Sequence, residues 1–184
     1  MKGLIYISTV IYAKLTKNNF DEHSLDSFER YQEIKQSLRK INDEYIYIDN
    51  PFTENWDSEQ RRRTAENTVK AISDGAIAYG AFREGVIAGF AYTGTERFGT
   101  ENQYLELKMF QVSNGFRGRG IGKALFALIC ADAKESGAEK LYISAHSSRE
   151  SQEAYKHLGC VHAAEINQQI AEDEPCDIQM EFVL

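Results

Sequence analysis

The chain has 184 residues, 42% of them hydrophobic and 27% charged, enough to bury one sizeable core and too few for a second independent domain of ordinary size. Lys and Arg total 21 against 28 Asp and Glu, a net charge of −7 at pH 7, so the molecule as a whole repels nucleic acid and anionic membranes. With 2 Pro, 13 Gly and a mean hydropathy of −0.47, it is neither a disordered chain nor a membrane protein by composition.

Cys130, Cys160 and Cys176 are odd in number and widely spaced, with no CxxC pair and no histidine set beside them. That pattern argues against a disulfide scaffold and against a metal site, and points to a reducing, cytoplasmic compartment. Met1 to Ala13 places Lys2 ahead of an apolar run, as a signal sequence would. Ser8 and Thr9 interrupt the run, however, and Ile, Tyr and Val favour a strand. No repeat or Pro-, Gly- or Ser-rich linker divides the sequence, so a single domain over 1–184 is expected.

Leu25, Phe28, Tyr31, Ile34, Leu38 and Ile41 recur at three- and four-residue steps and predict a helix capped by Ser24, with Pro51 separating it from the next. A second helix is predicted from Asp57 or Ser58 to Ser73, with Ala65, Val69 and Ile72 as its apolar stripe and Gly75 as its stop. Ala76 to Phe82 and Val86 to Thr93 read as a hairpin turned at Arg83-Glu84-Gly85, and Gly94 to Asn102 as a polar loop. Gln103 to Ser113 is a predicted strand with Leu105, Leu107 and Met109 on one face and Tyr104, Glu106, Lys108 and Phe110 on the other. A helix from Ile121 to Glu135, a strand from Lys140 to Ala145 and a helix from Glu150 to Leu158 follow. Two last strands, Cys160 to Ile166 and Asp177 to Val183, flank an acidic stretch from Ala171 to Pro175.

Between the 103–113 strand and the following helix runs Arg117-Gly-Arg-Gly-Ile-Gly-Lys123. Glycines at 118, 120 and 122 let the backbone turn tightly, and the unpaired N–H groups of the helix start face whatever docks there. A diphosphate suits such a seat. Two phosphate loops fail on counting: a Walker A loop needs Gly at Arg117 and Ser or Thr at Ala124, and a dinucleotide fingerprint needs Gly at Lys123.

The pattern that fits is Gln/Arg-x-x-Gly-x-Gly/Ala, filled by Arg117, Gly120 and Gly122 after a strand ending in Val112-Ser113. Here the chain resembles the GNAT family of acetyl-CoA-dependent N-acetyltransferases, from about Gly80 to Cys160 and most specifically from Val112 to Leu125. The resemblance implies an α/β (α+β) fold with a mixed, strongly twisted sheet, flanked by helices and splayed open beside the strand ending at Val112. Acetyl-CoA would lie in that opening. Its diphosphate would sit on the amides of Gly118, Arg119, Gly120, Ile121, Gly122 and Lys123, and its pantetheine arm would pair with the Val112 main chain. Arg117 and Ser148 complete the implied cofactor set, and no metal is implied. Asn114 stands where many members have Pro, which affects the stiffness of the loop.

Acetyl transfer to an amine needs a free amine, a donor to the developing oxyanion and a proton for the leaving thiolate. Tyr155 lies in a run similar to the family's Asn-x-x-Ala-x-x-x-Tyr-x-x-x-Gly-Phe helix, whose tyrosine is the usual acid; Ser148, Ser151 and Cys160 depart from that pattern. The alternative for Tyr155 is a ring that only packs. Glu106 precedes Arg117 by eleven residues, the spacing at which histone acetyltransferases of the family place a glutamate base. Its alternative is an exposed strand carboxylate. The Val112 N–H is the expected oxyanion donor. Tyr92, Glu96 and Tyr104 are candidates for the acceptor side, while Arg61-Arg62-Arg63, His146 and His157 read as ordinary surface groups.

The expected activity is direct acetyl transfer from acetyl-CoA to a primary amine, with Glu106 as base, Tyr155 as acid and no covalent intermediate. The acidic balance favours a small cationic acceptor. A peptide or protein N-acetyltransferase and a non-catalytic acyl-CoA-binding module are the rival readings, and a homodimer is left open.

Overall fold

The computed structural model describes residues 9–184. In chain order the elements are β1 (Ile11–Lys14), β2 (Tyr31–Ile41), β3 (Glu44–Asn55), α1 (Ser58–Ser73), β4 (Ala78–Arg83), β5 (Val86–Phe98) and β6 (Tyr104–Val112). There follow α2 (Ile121–Glu135), β7 (Lys140–Ala145), α3 (Arg149–Leu158), β8 (Val161–His162), α4 (Gln168–Asp173) and β9 (Ile178–Val183). Among the described residues, a seven-stranded sheet runs in the order β1-β4-β5-β6-β7-β9-β8, and β2 and β3 form a separate hairpin. Of the predicted first strand, Met1 to Ser8 lie outside the described residues; Ile11–Lys14 pairs antiparallel with β4.

One apolar cluster joins the sheet to α2 through Leu105, Leu107, Leu125, Ile129, Leu141 and Ile143. A second gathers Phe20, Leu25, Phe28, Ala65, Phe90 and Tyr92 under α1. α2 approaches so closely that a Cβ on Gly89 would stand 3.1 Å from side-chain atoms of both Ile121 and Leu125. Leu125 is fully buried there. Leu125→Ala is expected to cost roughly 2–5 kcal/mol, read as a lower urea midpoint with an unchanged slope.

The predicted helix over Leu25 to Ile41 is not formed. Leu25 and Phe28 are buried in a series of turns, and Tyr31–Ile41 is a strand. Ile34 and Leu38, the buried apolar pair of β2, are four apart, a step that satisfies both a helix and a strand. Tyr31 and Ile41, which made the pattern look helical, are exposed. The neglected signal was Asn42-Asp43: both have positive φ, 50° and 65°, closing a two-residue hairpin turn of the primed kind. Pro51 sits inside β3, where the register slips between Ile34↔Phe52 and Gln36↔Asp49, so it occupies a bulge rather than a helix boundary.

Three smaller corrections follow. β5 continues through Phe98, beyond the predicted loop boundary at Gly94, with a register break between Thr93 and Arg97. The strand after Cys160 is only Val161–His162, and the acidic stretch carries α4. In β6 the register steps from Thr93↔Leu107 to Tyr92↔Met109, leaving Lys108 as an extra residue. That bulge turns Met109 to the α1-side cluster and Phe110 and Val112 to the α2 side, so the predicted alternation of faces holds only up to Leu107.

Candidate active site

β6 and β7 run parallel, yet they pair only from Tyr104↔Lys140 to Glu106↔Tyr142. Beyond Glu106 the strands part, and the opening is a cleft of about 1480 Å³. Its walls are β6 from Glu106 to Val112, the glycine turn, the end of β7 with Ser144 and His146, and α3 with Ser151 and Tyr155. The β2–β3 hairpin and the α4–β9 segment close it from the other sides. The expected splay is thus present, with the β2–β3 hairpin over it.

Within the turn, Gly118 (φ 72°) and Gly120 (φ 81°) hold the left-handed backbone that L side chains rarely adopt. Gly120 caps α2 without any side-chain hydrogen bond. The first backbone bond of the helix runs from Ala124 N–H to the Gly120 carbonyl (3.1 Å), so the Ile121, Gly122 and Lys123 amides form an orphan donor set at the positive end of a 15-residue helix. A Cβ added at Gly118 or Gly120 would meet nothing within 4 Å, so the space before these amides is open to the cleft.

Val112 and Gly89 are Cα partners, while Ser113 N–H donates to the Ala88 carbonyl (2.9 Å). In an antiparallel ladder, bonded and non-bonded pairs alternate, so the Val112 N–H and C=O point away from β5, into the opening. Arg117, a member of the implied cofactor set, donates from Nε to the Val112 carbonyl (3.0 Å) and from Nη1 to the Tyr31 carbonyl (2.8 Å). It ties the end of β6 to the start of β2. Gly118, Gly120, Ile121, Gly122 and Lys123 line the cleft together with Arg117, whereas the Arg119 guanidinium lies against the Phe116 ring. Ser148 is wholly buried; its Oγ accepts from Ser151 N–H to cap α3 and from Gln32 Nε2, and Ser151 is the serine that faces the cleft.

Tyr155 lines the cleft from α3, its ring 6.0 Å from that of Phe110. Burial pushes its phenol well above the ordinary range, with the Asp177 and Glu174 carboxylates adding to the effect, so the hydroxyl keeps its proton at neutral pH. Glu106 is mostly buried at the point where β6 and β7 part. Burial raises its carboxyl, Lys108 Nζ at 3.4 Å opposes the rise, and Glu174 and Asp173 reinforce it. Asp177, just before β9, is raised by burial to about 6, with Glu174 reinforcing and His146 opposing.

His146 Nδ1 accepts from Ser148 N–H (3.1 Å) and its Nε2 faces Glu54 Oε1 (3.2 Å), a carboxylate that favours the charged ring. Tyr92 lines the cleft, whereas Tyr104 is buried against Glu181. Burial pushes the Cys130 thiol to about 11 and the Cys160 thiol to about 12, which leaves both protonated. Glu54, Asp177 and Arg30 are cleft residues that the sequence reading missed; no local motif contains them, because they come from β3 and from the segments just before β9 and β2, distant parts of the chain.

The parallel pair β6 and β7 thus parts beside a bulge, with a glycine-rich helix start at the mouth of the opening. The chain belongs to the acetyltransferase (GNAT) family, whose model matches residues 36–160. Its fold is also that of nourseothricin acetyltransferase (16% identity, TM-score 0.69, covering 95% of this chain and 98% of that one). A Bacillus anthracis str. Ames protein assigned as a streptothricin acetyltransferase, solved in complex with acetyl coenzyme A, is similar at 17% identity and TM-score 0.70, covering 96% and 99%. The PaiA N-acetyltransferase of Thermoplasma acidophilum, in complex with coenzyme A, matches at 14% identity and TM-score 0.62, covering 96% and 99%. A search of curated protein sequences finds no match. Among the described residues, no helix is long and apolar enough to cross a membrane.

Proposed function

We propose that this acetyltransferase uses acetyl-CoA as donor and acetylates a primary amine on a small cationic acceptor by direct attack. The observation that carries the donor is the orphan amide set at 121–123, aimed into the opening beside β6. The diphosphate rests there, the pantetheine arm runs along the Val112 edge, and the thioester reaches the fork where β6 and β7 part. What supports the cationic acceptor is the carboxylate-rich far wall, with Glu106, Asp173, Glu174 and Asp177 on the lining. Opposite charge raises both encounter rate and local concentration.

In the reaction, the uncharged amine attacks the thioester carbonyl, and Glu106 takes a proton from its nitrogen, directly or through one water, as the C–N bond forms. The Val112 N–H donates to the oxygen as it becomes negative. The C–S bond then breaks, and the Tyr155 hydroxyl delivers its proton to the departing thiolate. Cys130 and Cys160 take no part, since their thiols stay protonated.

The test is free-thiol release from acetyl-CoA across a panel of small amines, polyamines and peptides. Release with small cationic amines and none with peptides supports the reading. Peptide-only release favours a peptide acetyltransferase, and tight acetyl-CoA binding without release under any acceptor contradicts an enzyme.

Glu106→Gln gives a second check. A base works only when deprotonated, and burial has raised this carboxyl, so kcat/KM of the wild type falls on the acid side at a higher pH than an ordinary glutamate would produce. The variant is expected to lose that acid limb and about 100-fold in turnover. An unchanged pH profile removes Glu106 from the mechanism.

A further inference from the structure

Arg30 belongs to the segment between Phe28 and β2, outside every motif considered so far. The backbone of the preceding residue, Glu29, is stitched to the root of the glycine turn, and that of Arg30 to the end of β3. Glu29 N–H donates to Ser113 Oγ (3.0 Å), Asn114 N–H donates to the Glu29 carbonyl (2.9 Å), and Trp56 N–H donates to the Arg30 carbonyl (3.2 Å). The side chain is 9% exposed, and Arg30 contributes to the wall of the cleft.

Only part of that guanidinium is satisfied. Nη2 donates to Glu54 Oε2 at 3.0 Å, while buried Nε and Nη1 have no hydrogen-bond partner among the described residues. Glu54 is shared, because its other oxygen faces His146. A guanidinium cannot shed its charge, and a buried charged donor without an acceptor is among the costlier groups a fold can keep. Arg117, the neighbouring arginine of the turn, has spent Nε and Nη1 on backbone carbonyls. Arg30 instead keeps two buried donor nitrogens, Nε and Nη1, without an acceptor among the described residues.

We propose that Arg30 is an anion-binding residue of the cleft, receiving oxygen atoms of a ligand oxyanion on Nε and Nη1. The proposal rests on the donor reading above, and two ligand groups carry the required chemistry. One is the diphosphate of the cosubstrate, arriving at the turn whose root Arg30 adjoins. The other is a carboxylate on the acceptor, which would make the acceptor an amino acid or a close relative.

The experiment is calorimetric titration of the wild type, Arg30→Gln and Glu54→Gln with coenzyme A, with pantetheine, which lacks the diphosphate, and with lysine and lysinamide on the coenzyme A-loaded protein. Loss of about tenfold or more in coenzyme A affinity in Arg30→Gln, with pantetheine unaffected, identifies the diphosphate. Unchanged coenzyme A affinity with a selective loss for lysine over lysinamide identifies a carboxylate. Glu54→Gln separates both from a purely structural ion pair: it frees Nη2 and removes a negative charge, so anion binding should hold or tighten. An equal loss in both variants, or no loss in Arg30→Gln with any probe, overturns the assignment of Arg30. Wild-type protein that takes up no coenzyme A overturns the proposed donor instead, whereas uptake that is indifferent to Arg30 leaves that donor standing.

Discussion

Tyr155→Phe is expected to lower kcat by about 10- to 1000-fold while leaving the acetyl-CoA dissociation constant within about twofold of the wild type. The substitution removes one oxygen and keeps the ring that packs against Phe110. A purely structural tyrosine would lose little by it, because the hydroxyl makes no hydrogen bond to another described residue and the aromatic contacts remain. A proton donor would lose everything it contributes. Burial holds the phenol protonated, which is the state an acid must have when the thiolate departs. Pre-steady-state thiol release at saturating acetyl-CoA and amine checks the prediction, and turnover equal to the wild type removes Tyr155 from the chemistry.

The second large effect is expected at the turn. Gly120→Leu should weaken acetyl-CoA binding by about 100-fold or more while the fold survives. Two costs add. A leucine at φ 81° carries left-handed strain of about 1–2 kcal/mol, and its side chain projects into the open space in front of the α2 amides, where the diphosphate would rest. Because nothing lies within 4 Å of the added Cβ, the penalty falls on the ligand more than on packing. Equilibrium binding of acetyl-CoA, paired with a denaturation curve, separates the two. Unaltered affinity in a folded variant argues against the turn as the seat. At Gly122 the same change would also press on the Phe110 ring, 3.3 Å from an added Cβ, so stability and binding would fall together and the result would be harder to read.

The part of the site that could be read from sequence is the part that is contiguous. Val112 to Lys123 holds a strand end, two left-handed glycines and a helix start, each specified by local chemistry, and the structure sets them side by side. Glu106 and Tyr155 were reachable by spacing, and both line the cleft. Ser148 was not, because a serine before a helix serves equally as a cap, and here it caps α3.

The roof of the cleft was misread for a physical reason. In Tyr31–Ile41 the two buried apolar residues are four apart, a step at which helical and extended periodicities coincide, and hydrophobicity alone cannot choose between them. Asn42-Asp43, followed by Tyr45-Ile46-Tyr47-Ile48, carried the deciding turn and β signals. The β6 bulge was also silent, because register depends on the partner strand, and one surplus residue at Lys108 reverses the faces beyond it. Arg30, Glu54 and Asp177 lie far from the turn in sequence and meet at the cleft only through the hairpin and β9. Residues recruited by topology leave no local trace.

A crystal structure of the chain with coenzyme A bound tests the whole account most directly. The diphosphate oxygens should lie within hydrogen-bonding distance of the backbone amides between Gly118 and Lys123, with the pantetheine arm along the outer edge of β6 and the thiol near Tyr155. Density for the molecule elsewhere on the surface, or an empty cleft at saturating coenzyme A, would contradict it.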